Sequence, residues 1–139
     1  MTKSLFPWQA PFLAEYMTQH GEETLKQNEI RVACQPMANV NGLLRVRLDE
    51  QPTLHRPDQG SSTPLPLEAA TEISLFLIEA NFFSIPSNND KVGLDGITYL
   101  IEANLGGHYH YVCHWQPDDP RIPQLYDELW AIAQPYLNA

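Results

Sequence analysis

Residues 94–117 read LDGITYLIEANLGGHYHYVCHWQP, and this stretch decides the fold. Two segments of alternating character flank a Gly-rich turn, the pattern of a β-hairpin. Successive strand side chains point to opposite faces, so His108, His110, Val112 and His114 share one face and Tyr109, Tyr111, Cys113 and Trp115 the other. Register depends on loop length. A loop from Ala103 to Gly107 sets Glu102 opposite His108 and Leu100 opposite His110, whereas a loop one residue shorter pairs His110 with Ile101. In the first register the Glu102 carboxylate favours the protonated form of His108. Trp115, next to the strand-ending Gln116-Pro117, is expected to pack beneath the C-terminal helix, where its indole N–H needs an acceptor.

The same hairpin holds the clearest candidates for chemistry. His108 and His110 are two residues apart on one strand face, with imidazoles about 6 to 7 Å apart, a spacing that permits a shared metal. A catalytic zinc takes three protein ligands, and His114 is too far along the strand, so Asp95, Glu102 or His55 would have to complete the set. The alternative is that the two imidazoles are ordinary filler of an aromatic-rich strand. Asp95-Gly96 reads first as a turn that starts the strand and second as a site for a general base. No GxSxG elbow or Gly-rich phosphate loop is present, and Cys113 and His114 point to opposite faces, so nothing supports nucleophilic catalysis.

Working outward, Pro66 opens the strongest helical pattern, in which Leu67, Ala70, Ile73, Leu77 and Ala80 recur at three- and four-residue steps and Glu68, Glu72 and Glu79 face elsewhere. Residues 29–36 and 43–50 alternate as strands around a turn at Asn39–Gly42, where Asn41-Gly42 accepts positive φ. Between them and the central helix, Gln51–Pro66 carries Pro52, Pro57, Pro64 and Pro66 with Gly60, the composition of a mobile loop, with a short edge strand at Thr53–Arg56 as the alternative. A first helix over about residues 11–20 groups Phe12, Leu13, Tyr16 and Met17. The last helix starts at the Pro120 and Pro123 region, buries Leu125, Leu129, Ile132 and Ala133, and should end or bend at Pro135. The prediction is one α+β domain over residues 1–139: an antiparallel sheet of about four strands from two hairpins, packed against a central and a C-terminal helix.

Seventeen acidic against eight basic side chains give 139 residues a net charge of -9, which repels phosphate backbones and anionic lipid. Nucleic acid and membrane are therefore excluded as expected partners, and a basic protein is favoured. Cys34 and Cys113 have no CxxC spacing and no export signal precedes them, so they are expected to be reduced and buried, in a cytoplasmic protein, with one bridge between them as the alternative if their strands are neighbours. No cofactor is expected.

The run LDGITYLIEANLGGHYHYVCHWQPDDP (Leu94–Pro120), continuing into LYDELWAIA (Leu125–Ala133), resembles a pattern in small bacterial α+β proteins, some of which are similar to immunity proteins that bind and silence a toxin. The resemblance covers about the last third of the chain. It implies a non-enzymatic inhibitor with a toxin as partner. The expected contact residues are Asp49, Glu50 and Asp58 near the Pro-rich loop and Asp118 and Asp119 after the second hairpin, with association weakening as salt rises. The competing expectation is a zinc-dependent hydrolase using His108 and His110. A third is a homo-oligomer, in the simplest case a homodimer, built on the exposed edge of the hairpin.

Overall fold

The structure is a computed structural model that describes residues 6–8, 10–36, 40–91, 93 and 96–137. Three helices, α1 (Pro11–Gln19), α2 (Leu67–Glu79) and α3 (Arg121–Leu137), surround six strands, β1 (Glu29–Pro36), β2 (Asn41–Arg47), β3 (Thr53–Arg56), β4 (Ser61–Pro64), β5 (Ile97–Leu105) and β6 (His108–Trp115). The strands form one antiparallel sheet in the order β4-β3-β2-β1-β5-β6. The α+β class stands, and the expected four strands become six.

The extra pair comes from the segment expected to be a loop, and the alternative strand at Thr53–Arg56 is β3, paired on its outer side by β4 rather than standing at the edge. Its prolines stand where a ladder tolerates them: Pro52 before β3, Pro57 at the start of a short 3-10 turn, Pro64 at the end of the outermost strand. Gly60, at φ +62°, closes the turn, and the Leu65 N–H bonds the Pro52 carbonyl at 2.8 Å.

Alternation along the strands builds two cores, one on each side of the sheet. Ile30, Val32, Leu44, Val46, Ile101 and Val112 pack against Ile73 and Leu77 of α2 and Leu125 and Leu129 of α3. Their neighbours Ala33, Leu43, Leu100 and Cys113 pack against Leu13, Ala14 and Met17 of α1, with Phe6 and Trp8 from the preceding segment. The sheet is thus covered on both faces, a three-layer arrangement rather than one apolar side and one wet side. In α1 the buried face is Leu13, Ala14 and Met17, and Phe12, expected among them, is 54% exposed.

Two helical expectations need correction. Leu67 does not belong to the buried stripe of α2, which consists of Ala69, Ala70, Ile73 and Leu77. Pro135 does not end α3, which continues past it to Leu137. The proline falls in the last turn, where only one backbone bond is forfeited. The stripe Leu125, Leu129, Ile132 and Ala133 is buried as expected. No helix among the described residues is long and apolar enough to cross a membrane.

Cys34 pairs across strands with Tyr99, whose ring meets Tyr126 of α3, whereas Cys113 pairs with Leu100 on the α1 side. The two thiols therefore point from opposite faces of the sheet and cannot form a disulfide without rebuilding it. Burial pushes Cys34 from the ordinary 9.0 up to about 11 and Cys113 up to about 12. Both should resist a thiol reagent in the native state and react only as fast as the chain opens. Because the folded values lie above the unfolded ones, their contribution is complete below pH 9 and is lost as pH rises through 11 and 12. Denaturant midpoints measured from pH 8 to 11 should fall accordingly, and a flat profile would show the thiols to be solvated.

Candidate interaction surface

The five acidic residues expected to contact a partner lie at three separate places. Asp49 and Glu50 follow β2 at the end of the sheet that carries Glu29 and Asn104. Asp58 sits in the β3–β4 turn at the other end. Asp118 and Asp119, between β6 and α3, share that end with Asp58 but are four strand positions away, about 19 Å at the usual strand spacing. Four of the five are already matched with a cation: Asp49 with Arg47 (3.9 Å), Asp58 with Arg56 (3.7 Å), Asp118 with Lys91 (2.7 Å) and Asp119 with Arg121 (2.6 Å). Hydrogen bonds from Arg121 hold the Asp119 carboxyl below the usual carboxylate range. These side chains do not combine into one acidic patch.

The β5–β6 turn is the two-residue Gly106-Gly107, both at positive φ (+60° and +79°), as a tight hairpin turn requires. Leu105 consequently faces His108, Ala103 faces His110, and Glu102 faces Tyr111, so neither expected register holds. Glu102 turns to the α1 face, away from His108. His110 donates Nε2–H to the Ile85 carbonyl at 2.7 Å and meets Phe82 edge-on, while His108 rests against Phe83. His114, buried, donates Nε2–H to the Pro86 carbonyl at 2.7 Å. His55 lies on β3, hydrogen-bonded to Thr53, its protonation disfavoured first by burial and then by Arg45 and Arg47. Asp95 lies outside the described residues. Among those described, no group of three or more His, Cys, Asp or Glu side chains is placed to hold a metal ion.

Trp115 also departs from expectation. It shares the α1 face with Cys113, opposite α3, and lines a cleft with Pro11, Asn88 and Gly93. At about 180 Å³ the cleft is below the size range of small-molecule sites, which begins at roughly 300 Å³. The Asn89 side chain brackets the Trp115 backbone, and the Cys113 N–H donates to Ser87, so residues 87–89 cover part of the hairpin edge.

What sequence reasoning missed is where the charges go. Arg31, fully buried in the middle of β1, gives two hydrogen bonds to Glu102 (2.6 and 3.2 Å), one to Glu22 (3.2 Å) and one to the Glu23 carbonyl (2.7 Å). Phe6 and Trp8 lie over its guanidinium at 5.3 and 5.6 Å, and Tyr109 donates its hydroxyl to Glu102 at 2.7 Å. Burial pushes the Glu102 carboxyl upward, and the attraction of Arg31 counters it. Arg45 reaches Glu22 and Arg47 reaches buried Glu29, both at 3.5 Å. The signal was legible only as a charge in the middle of each of two apolar strands.

Among the described residues the arginines and Lys91 are thus matched with acids, Lys26 joins no ion pair, and the helical layer of α2 and α3 is left acidic. Helix α2 has no Lys or Arg and α3 has only Arg121, which Asp119 occupies. Glu68, Glu72 and Glu79 are exposed and Glu128 is half-buried, and none joins an ion pair among the described residues. Beside them Leu67, Leu75 and Ile78 are 67%, 50% and 60% exposed. Apolar and acidic residues together line an open groove along α2 of about 340 Å³. Comparison with protein-family models, with curated proteins and with solved structures returns no match.

Proposed function

We propose that this chain is a non-enzymatic binding protein that covers a basic protein partner, in the manner of an immunity protein silencing a toxin. One observation carries the reading: five carboxylates of α2 and α3, Glu68, Glu72, Glu79, Asp127 and Glu128, join no ion pair among the described residues and have no cation of their own helices to meet, while Arg31, Arg45, Arg47, Arg56, Lys91 and Arg121 are each matched with an acid. Carboxylates without local partners steer a cationic protein toward that face and favour the bound state when its Lys and Arg arrive.

The test uses the full chain as bait in extracts of the source organism. A retained protein should be basic, should elute as salt is raised, and should arrest growth when expressed alone. Co-expression with this chain should restore growth. If the retained proteins are acidic, or if none arrests growth, the inhibitor reading is lost.

A further inference from the structure

From the two stripes of α2 we infer that its outer face is the docking site for an amphipathic helix of the partner, flanked by Lys or Arg. This rests on the binding function proposed above and names the surface and the chemistry that it takes.

Helix α2 is apolar on two sides. Its inner stripe, Ala69, Ala70, Ile73 and Leu77, is consumed by the sheet and α3. On a helical wheel of 3.6 residues per turn the outer set, Leu67, Thr71, Leu75 and Ile78, falls within an arc of about 80° and is in line along the helix. Three large apolar side chains, each at least half exposed, aligned on one helix are more than the scattered apolar residues normal on a surface. Glu68, Glu72 and Glu79 form the adjoining row, and the groove beside the stripe is lined by these three with Thr71, Leu75 and Phe76. A second groove, where α2 meets α3, adds Glu128 beside Glu72.

The charges choose the occupant. A second copy of this chain would bring the same carboxylates and no cation on α2, so a symmetric pairing leaves this row uncompensated. A helix with apolar side chains at three- and four-residue spacing fits the stripe, and Lys or Arg on its flank meets the Glu row.

The probe is a fluorescein-labelled synthetic helix with leucines at that spacing and lysines on its flanks, titrated with the full chain and followed by anisotropy. Saturable binding should weaken by about tenfold or more in Leu75→Ser/Ile78→Ser. Binding should also fall in Glu68→Gln/Glu72→Gln/Glu79→Gln, and on raising salt from about 50 mM to about 500 mM. Asp49→Asn/Glu50→Gln should leave it unchanged, and a glutamate-flanked version of the helix should not bind. Because all substituted side chains are exposed, melting temperatures should match the parent. Equal affinity for the Leu75/Ile78 variant overturns the proposal. So does a dimer of the free chain, seen by light scattering, that this variant dissolves, since the face then belongs to a second copy. If the variant still relieves growth arrest by the retained partner, the inhibitor function survives and this surface does not. If no growth-arresting partner exists, the function fails whatever the probe does.

Discussion

Arg31→Met should lower the unfolding free energy by about 3–5 kcal/mol, the usual result of removing one partner from a buried ion pair. Methionine spans much of the arginine stem but leaves the Glu102 and Glu22 carboxylates buried without the guanidinium between them. The Glu23 carbonyl also loses its donor, and Phe6 and Trp8 lose the cation beneath their rings. The loss should depend on pH in a defined sense. Burial already pushes the Glu102 carboxyl upward, and without Arg31 the Tyr109 hydroxyl is left to oppose it. A carboxyl whose folded value lies above its unfolded value is stabilising below the unfolded value and loses that contribution as pH rises, so the variant should be less impaired near pH 5 than near pH 8. Urea midpoints at the two pH values measure both effects. Arg31→Met/Glu102→Leu should recover much of the deficit, since Glu22 keeps Arg45 at 3.5 Å and an apolar pair can replace a buried ionic one at little cost. A single variant within about 1 kcal/mol of the parent would mean that the cluster is hydrated in solution.

That cluster also marks where the sequence stopped being readable. The alternation of Ile30, Val32 and Cys34 and of Leu44 and Val46 identified the first hairpin, although β2 runs Asn41–Arg47 and so takes in Asn41 and Gly42 of the expected turn, and the residues after Ile97 identified the second, because period-two patterning is local. Arg31 and Glu102 are 71 positions apart, and nothing local says that the face they share lies beneath Phe6, Trp8 and α1. A sheet covered on one side would have put both in water. The Gly106-Gly107 turn was legible in principle, since two adjacent glycines suit a tight hairpin, but an Ala103–Gly107 loop concealed it and displaced Glu102 by several pairings. Of the β3–β4 hairpin, Thr53–Arg56 was legible as an alternative strand, and β4 was concealed by composition: prolines argue against strand interiors, and these sit at strand ends. The candidate surface was missed for a related reason. Helix α2 repeats apolar residues on two sides, and periodicity does not say which side meets the core, so Leu67 was assigned inward and the stripe with Leu75 and Ile78 went unread. The acidic composition pointed to a basic partner, but which carboxylates remain free depends on tertiary pairing with the arginines.

Gly42→Ala should have the second large effect, about 2–4 kcal/mol, because two independent costs fall on one methyl group. The residue stands at φ +61°, in the left-handed region that a Cβ disfavours. A Cβ built there overlaps the Tyr126 hydroxyl and comes within 3.1 Å of the ring carbon that bears it. Tyr126 and Trp130 both donate to the Gly42 carbonyl, at 3.4 and 3.1 Å, so this contact ties α3 to the start of β2. Forcing the start of β2 outward therefore strains the anchor of a helix whose Leu125 and Leu129 fill the core. The two costs separate in a second variant: Tyr126→Phe removes the overlapping oxygen and forfeits only a long hydrogen bond, so Gly42→Ala/Tyr126→Phe should recover about 1 kcal/mol relative to Gly42→Ala. The residual deficit belongs to the backbone. If Tyr126→Phe rescues nothing, the strain is entirely in the φ angle and α3 does not press on the start of β2. If Gly42→Ala is neutral, α3 does not dock through this carbonyl, and the position of the helical layer on the sheet would need redrawing.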